Sequence, residues 1–280
     1  MHRWGYAPTI EALAAQLLGG AVREDALLHQ LEDASRFTVQ GRFAALRGSE
    51  DLIPKSRERV TSHHRSAAEA RAVAREFAEV FARHVALVDC IALSGSLATG
   101  GFRTGDDIDF DIFSRDGTKY VTYLAALLLG ATFSIRYRRT HGLRKLICVN
   151  VIWTPNQVRP FVRNDDGLAF ELLNCQPLVG GAYYQRVLHD NPWICGFFPQ
   201  VERRVDIDVP LHPPSVLGRF LRWLERHPRG LAVAERWSRR VSFVIYTVVH
   251  RMRASDARAA ARLEFLRRVK FPYEVFQDSP

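Results

Sequence analysis

The chain has 280 residues, 47% of them hydrophobic, with a net charge of +9 and a pI near 9.8. This length allows one large or two to three small domains with a sizeable core, and the positive charge indicates an anionic partner such as a nucleotide or nucleic acid. The cysteines are widely spaced, which argues against a disulfide framework. The N-terminus has no apolar leader, which argues against a secreted protein, and the apolar runs are too short for a membrane span. These features favour the cytoplasm.

Residues 1–62 are expected to form a small helical unit that ends in a hairpin. Apolar periodicity and turn residues predict two helices and then two short strands, over residues 10–18, 24–32, 36–39 and 43–46. Two helices followed by a basic hairpin resemble a winged helix. Arg42 and Arg47 would then contact nucleic acid, but we favour a packing or dimerisation module because the unit lacks a clear recognition helix.

A helix and two strands follow this unit. Ser66 and Glu69 form a capping box that predicts the start of the helix, and an apolar stripe continues from there to Val85. The first strand, residues 88–94, leads into a turn at Gly95 and a loop of small residues. The second strand alternates between an apolar and an acidic face, formed by Ile108, Phe110 and Ile112 and by Asp107, Asp109 and Asp111.

The acidic face of the second strand indicates a divalent cation. Three carboxylates on one open surface repel each other, and a hard cation with oxygen ligands would remove that cost. Other ion and phosphate motifs fail on this segment. An EF-hand loop would need Gly and Glu where the chain has Ile112 and Thr118, and P-loop and dinucleotide fingerprints fail at Phe102 and Leu97.

The order of turn, loop and acids resembles a known signature. Leu93, Gly95-Ser96 and Asp107-Ile108-Asp109-Phe110 are similar to the pattern of the DNA polymerase β-like nucleotidyltransferase superfamily, and a solvated acidic strand is the alternative. The resemblance implies that Asp107 and Asp109 hold two Mg²⁺ ions, which clamp the oxygens of an in-line displacement. It also implies that the nucleotide's phosphates are held by Ser94, Gly95 and Ser96, with Arg103 and Lys145 as weaker candidates.

A later strand, residues 146–153, bears on proton transfer. It follows a helix that is expected to end at Gly130, and the superfamily usually carries a third carboxylate in this strand. Here the residue best placed to face the Asp pair is Asn150, whose amide cannot take a proton at neutral pH. The acceptor therefore needs little activation, another acid substitutes (Glu171, Asp165 or Asp166), or the site binds nucleotide without turnover.

The rest of the chain is expected to be mainly helical. Residues 170–193 resemble the post-catalytic helix of a bacterial subgroup that combines Gly-Ser, Asp-x-Asp and Cys-x-Asn signatures. In that reading Glu171, Asn174 and Gln176 line an acceptor pocket; in the alternative they form one polar helix face. Cys90 and Cys148, inside apolar strands, are expected to be core thiols. A proline-rich loop precedes helices over residues 215–226, 231–253 and 255–269.

Together these patterns predict an α+β protein with a winged-helix-like unit at residues 1–62, a nucleotidyltransferase core with a short mixed sheet at 63–165, and a C-terminal helical bundle at 166–280. The expected catalytic residues are Asp107, Asp109, Asn150 and Glu171. The expected reaction transfers a nucleoside monophosphate from a nucleoside triphosphate, with ATP favoured, to an acceptor and releases pyrophosphate. A small-molecule acceptor is favoured over RNA or protein. The alternative is a non-catalytic protein on the same fold that binds nucleotide or nucleic acid.

Overall fold

The computed structural model describes residues 6–141, 146–203, 209 and 212–253. Within these ranges one small mixed sheet combines with eleven α-helices, which confirms the expected α+β class. The helices are α1 (Ile10–Ala15), α2 (Glu24–Asp33), α3 (Leu52–His84), α4 (Gly95–Ala98), α5 (Lys119–His141), α6 (Pro155–Val158), α7 (Asp166–Asn174), α8 (Gly181–His189), α9 (Trp193–Phe197), α10 (Val216–Glu225) and α11 (Pro228–Arg253), with a 3₁₀ helix at Pro199–Arg203. The strands are β1 (Phe37–Gln40), β2 (Phe43–Leu46), β3 (Val88–Ser94), β4 (Ile108–Ser114), β5 (Ile147–Trp153) and β6 (Gln176–Val179).

The main sheet has the strand order β5-β4-β3-β6. Strand β4 is parallel to β5, whereas β3 is antiparallel to both β4 and β6. Because side chains alternate along a strand, β4 directs Phe110 into a core shared with α3 and α5, and Phe113 into a second core shared with α7 and α8. Helices therefore cover both faces of the sheet, and the expected short mixed sheet is confirmed.

The N-terminal unit has the expected order of helix, helix and hairpin. Its own small core includes Ile10, Leu27 and Leu31, and strands β1 and β2 pair around a two-residue turn. Arg42 in the hairpin turn and Arg47 directly after β2 both have partners within the unit. Arg42 pairs with Glu11 on α1 at 2.7 Å, and the Arg47 Nε donates to a backbone carbonyl at 2.8 Å.

Helix α3 corrects the predicted start at Ser66. The helix already begins at Leu52, and the Ser66 hydroxyl donates to the Ser62 carbonyl at 2.8 Å, as an interior serine does. The capping box does not start the helix, because the turns before Ser66 also bury residues, Ile53 and Ser56 among them. The boundary expected between residues 62 and 63 therefore falls inside one continuous helix.

Two further expectations are corrected in the second half of the chain. Helix α5 does not end at Gly130. A Cβ at this glycine would lie 3.3 Å from Ile147, so the glycine lets the helix pack closely against β5 rather than terminating it. The region after residue 165 is not purely helical, because Gln176–Val179 forms the edge strand β6 beside β3. This strand joins the region to the central sheet.

The last two described helices pack on the core. Ser215 caps α10 by accepting from the Gly218 amide at 3.2 Å, and the Glu235 carboxylate of α11 accepts from the Tyr120 and Val121 amides at the start of α5 at 2.7 and 2.9 Å. None of the helices in the described ranges has a stretch both long and apolar enough to cross a bilayer. Two expected features, Lys145 and the helix over residues 255–269, lie outside the described residues.

Candidate metal centre

The Gly-Ser turn lies directly against the acidic strand. Ser94, the last residue of β3, pairs in register with Asp109 of β4. Gly95 follows with a φ of +63°, a conformation that L side chains rarely adopt. A Cβ on Gly95 would lie 2.9 Å from the Cγ and 3.0 Å from the Cβ of Asp109, and closer still to one carboxylate oxygen. Only glycine leaves room for the Asp109 carboxylate beside this turn.

Three side chains with metal-binding atoms converge next to the turn. The ligand atoms of Asp107, Asp109 and Cys148 all lie within 4.8 Å of one another, and the three residues are half-buried. Cys148 belongs to this group because β5 runs parallel to β4 and places it opposite Asp109 in register. Two carboxylates and a thiol fit a divalent cation in their chemistry, and the glycine at position 95 gives the Asp109 carboxylate the space to bind one.

The position of Cys148 corrects the expectation that it is a core thiol. Its half-buried side chain lies on the acidic side of the sheet, whereas Cys90 is buried in the core as expected. The signal that identifies it is its spacing: Cys148 and Asn150 are two residues apart on one strand, so a strand that presents Asn150 to the acids also presents Cys148.

A second group of ionisable residues lies deeper. The potential ligand atoms of Asp111, Glu171 and Cys175 are within 4.8 Å of one another. Asp111 does not line an open surface, as its alternation with Asp107 and Asp109 suggested, because it is only 1% exposed. Helix α7 lies over this part of the sheet and brings Glu171 onto Asp111 from above. The acidic face is thus accessible at Asp107 and Asp109 and closed at Asp111.

Both deep carboxyl groups hold their protons more tightly than usual. Burial raises the pKa of Asp111 to about 6, although neighbouring hydrogen-bond donors from Ser94, Cys175 and Asn150 favour its charged form. Burial and the negative charges of Asp111 and Asp109 raise the pKa of Glu171 to about 8. Glu171 is therefore close both to Asp111 in the deep group and to Asp109, which with Asp107 forms the outer, half-buried acids.

Asn150 and the three alternative acids occupy different places. The Asn150 amide donates to Asp111 Oδ1 at 3.3 Å, so it lies on the acidic face but holds the third aspartate. Asp165 caps α7 through the Leu168 amide at 2.9 Å and pairs with Arg163; burial opposes its ionisation, but these bonds outweigh burial and lower the pKa of Asp165. Asp166 lies in the first turn of the same helix. Glu171 is the acid that α7 brings to the cluster.

The loop between the turn and the acidic strand is organised by Asp106, which the sequence did not single out. The Ser96 hydroxyl donates to Asp106 Oδ2 at 3.3 Å, the Arg103 amide does so at 3.1 Å, and the Arg59 guanidinium from α3 approaches the same oxygen at 3.4 Å. The adjacent acids, Asp106 and Asp107, therefore have different roles: one anchors the loop and the other faces the cluster.

The expected phosphate-binding side chain of Arg103 points toward α3. Its Nη2 atom lies 3.4 Å from the Lys55 carbonyl and 3.8 Å from Glu58. Ser96 is tied to Asp106, as described above. Of the predicted nucleotide-binding residues, Ser94 and Gly95 are thus beside the outer acids, Ser96 and Arg103 join the loop to its support, and Lys145 lies outside the described residues.

Two side chains fix the short helix α4 after the turn. Arg71 of α3 donates to the Leu97 carbonyl at 3.1 Å and to the Gln176 side chain at 2.7 Å, and Gln176 in turn donates to the Ala98 carbonyl at 2.9 Å. Gln176 therefore supports the turn. Asn174, in contrast, accepts from Gln16, the residue after α1, at 2.8 Å and connects the N-terminal unit to α7.

The N-terminal segment also reaches the site, through Tyr6. Its largely buried hydroxyl lies beside Thr99 and Arg59, and burial together with the charge of Glu171 raises the pKa of Tyr6. The Arg59 guanidinium lies over the Tyr6 ring at 5.8 Å from its centroid. No pattern in the sequence singles out a tyrosine so far from the acidic strand.

Comparison with known proteins gives no relative: no protein-family model, no curated protein and no solved structure matches the chain. The residue pattern and the geometry of the cluster are therefore the grounds on which a function can be assigned.

Proposed function

We propose that the protein is a metal-dependent nucleotidyltransferase. It transfers a nucleoside monophosphate from a nucleoside triphosphate, with ATP favoured, to an acceptor and releases pyrophosphate. One observation carries the proposal: the glycine of the Gly-Ser turn packs against the carboxylate of Asp109. The turn that would hold the phosphates and an acid that would hold the cation therefore lie side by side. A solvated acidic strand has no need of a positive-φ glycine in contact with one of its acids.

In this function Asp107 and Asp109 hold the cation. A divalent ion bound there neutralises the polyphosphate and stabilises the attacking and leaving oxygens of the displacement. Ser94 and Gly95 place the start of the turn beside these acids, where the triphosphate would lie. Arg71 and Gln176 keep the turn in position through the carbonyls of α4. The chain thus contributes positioning and charge neutralisation rather than covalent chemistry.

Glu171, one of the acids expected to substitute for a third carboxylate, is the proton acceptor in this function. Asn150 has no basic atom of suitable pKa and donates its amide to Asp111. Glu171 lies close to Asp111 and Asp109, and burial together with their charges raises the pKa of Glu171 to about 8. A base titrating near neutral pH is well matched to the removal of a hydroxyl proton. The Asn150 amide holds Asp111, whose carboxylate lies next to that of Glu171.

The competing function is nucleotide binding without turnover, and the neutral Asn150 favours it. The two are separated by measuring binding and chemistry on the same protein. Calorimetry with a non-hydrolysable ATP analogue should show binding that requires a divalent cation. Assays of pyrophosphate release with ATP, GTP, CTP and UTP should show turnover, with small hydroxyl compounds, RNA or the protein itself tested as the acceptor.

Paired variants identify the source of each signal. Asp107→Asn with Asp109→Asn should weaken analogue binding by more than about tenfold and abolish pyrophosphate release, because both ligands of the cation lose their charge. Asp51→Asn is the matched control, since Asp51 is an exposed acid paired with Lys55 away from the cluster. Binding without release in the wild type would favour the non-catalytic protein. Unchanged affinity in the double variant would reject both functions.

A further inference from the structure

We infer that the Cys148 thiolate is the third ligand of the centre and that the centre therefore selects a borderline-soft divalent cation, such as Zn²⁺ or Co²⁺, over Mg²⁺. The inference rests on the proposed function, since it concerns the same centre, and it replaces the two Mg²⁺ ions that the family resemblance implies. It assigns a role to a side chain that the expected reaction does not use.

The geometry places sulfur where an all-oxygen site would have a carboxylate. Cys148 lies opposite Asp109 on the neighbouring parallel strand, and its sulfur is within 4.8 Å of one carboxylate oxygen each of Asp107 and Asp109. Around a tetrahedral ion with bonds of about 2.0–2.3 Å, neighbouring ligand atoms lie about 3–4 Å apart, a separation that small side-chain rotations would achieve here.

The donor set then decides the cation. Mg²⁺ demands a near-octahedral shell of oxygen atoms and dehydrates reluctantly. Thiolates favour Zn²⁺ and similar ions, and the general order of affinities places these ions above the harder ones. Two carboxylates with one thiolate match a three-residue site that leaves a further position open for a substrate oxygen.

Ser94 provides an independent observation at the same place. It pairs in register with Asp109, so its side chain is on the acidic face, and it is only 1% exposed. Its hydroxyl makes no hydrogen bond of normal geometry with the described residues, although it is close enough to Asp111 to favour the charged form of that carboxylate. An unpartnered buried hydroxyl costs about 1–3 kcal/mol, and a hydroxyl whose acceptor lies outside normal geometry pays part of that cost, so a polar ligand at this centre would reduce it.

The deeper group is a poorer candidate for the same ion. The Cys175 thiol donates to Asp111 at 3.3 Å, and the Asn150 amide also donates to that carboxylate. Both Asp111 oxygens therefore already accept hydrogen bonds from neighbouring side chains, which a cation would have to displace. The half-buried group at Asp107, Asp109 and Cys148 combines ligand atoms with access from solvent.

Cobalt titration of the metal-free, full-length protein tests the inference directly. Bound Co²⁺ should produce the near-ultraviolet charge-transfer absorption of a cobalt–thiolate bond, and Zn²⁺ should displace it. Cys148→Ser should lose the band, whereas Cys195→Ser should keep it, since Cys195 is a half-buried thiol on α9 outside both groups. Cys148→Asp should bind cations without the band and should shift the Mg²⁺-to-Zn²⁺ affinity ratio toward Mg²⁺ by about tenfold or more.

The outcomes separate this inference from the proposed function. Absence of the band in the wild type, its persistence in Cys148→Ser, or tighter binding of Mg²⁺ than of Zn²⁺ would overturn the role of Cys148. If pyrophosphate release with Mg²⁺ then continues, the nucleotidyltransferase stands and the thiolate site does not. A cobalt band that depends on Cys148 supports the inference even when no nucleotide binds. Cys148→Asp answers the question if Cys148→Ser fails to fold.

Discussion

Replacing Gly95 with alanine should displace the Asp109 carboxylate, and its cost can be worked from two contributions. At a φ of +63° an alanine pays about 1–2 kcal/mol of backbone strain. The added Cβ would also lie 2.9 Å from the Cγ and 3.0 Å from the Cβ of Asp109, so rotation of the carboxylate alone cannot relieve the overlap. Overpacking of this kind costs about 1–3 kcal/mol, which gives a total of about 2–5 kcal/mol.

Gly100 in the following loop provides the control. It also has a positive φ, +83°, but a Cβ there would meet nothing within 4 Å. Gly100→Ala should therefore pay only the backbone strain, about 1–2 kcal/mol. Urea unfolding of the metal-free proteins should find Gly95→Ala less stable than Gly100→Ala by about 1–3 kcal/mol. Calorimetry with Zn²⁺ or Mn²⁺ should show weaker cation binding in Gly95→Ala alone.

A double-mutant cycle isolates the contact itself. Asp109→Ala removes the carboxylate that the new methyl group overlaps, so Gly95→Ala should cost less in the Asp109→Ala background, with a coupling energy of at least about 0.5 kcal/mol. Equal costs in both backgrounds, or equal costs for Gly95→Ala and Gly100→Ala, would refute the close approach of the turn to the acid. The proposed function would then lose its main support.

Three further changes test other parts of the structure. Glu171 has a pKa of about 8 in the fold against an ordinary 4.5, so its carboxyl group destabilises the fold as the pH rises from about 4.5 through 8. At about 1.4 kcal/mol per pKa unit, Glu171→Gln should be more stable than the wild type by at most about 5 kcal/mol at pH 9, with little difference at pH 5. Urea unfolding with chelator measures the difference. Ser66→Ala should gain about 0.5 kcal/mol of unfolding free energy, because Ser66 is inside α3, and a loss of about 1 kcal/mol would restore it as a cap. Arg71→Met should keep the helical circular dichroism signal but weaken binding of the ATP analogue, since the Leu97 carbonyl and Gln176 lose their donor; unchanged affinity would show that α4 does not need this support.

Local patterns predict the elements that carry the site. Strand β3 ends at Ser94 as expected, and the alternation of acids and apolar residues places Phe110 in the core and Asp109 on the other face of β4. Helices α2 and α10 follow in the same way from their periodicity, and Ser215 caps α10, whereas α1 ends at Ala15, before the expected residue 18. These signals succeed because the period of a strand or helix depends on neighbouring residues alone.

The predictions for other features were wrong because these features depend on contacts between distant parts of the chain. The sequence indicates a capping box at Ser66 and a helix stop at Gly130, yet the turns before Ser66 are packed and the glycine fits against Ile147 of β5. The same applies to Cys148, whose place beside the acids follows from the pairing of β5 with β4.

By itself, the sequence determined that three aspartates share one face of a strand next to a glycine turn, because strand period and turn chemistry are local. Only the tertiary structure decided which of the aspartates are accessible and which side chains lie next to them. Helix α7, far along the chain, covers Asp111 and adds Glu171, and β5 adds a thiol beside Asp107 and Asp109. Burial and long-range strand pairing are set by packing of distant segments, and they divide one row of similar carboxylates into an accessible pair and a buried acid.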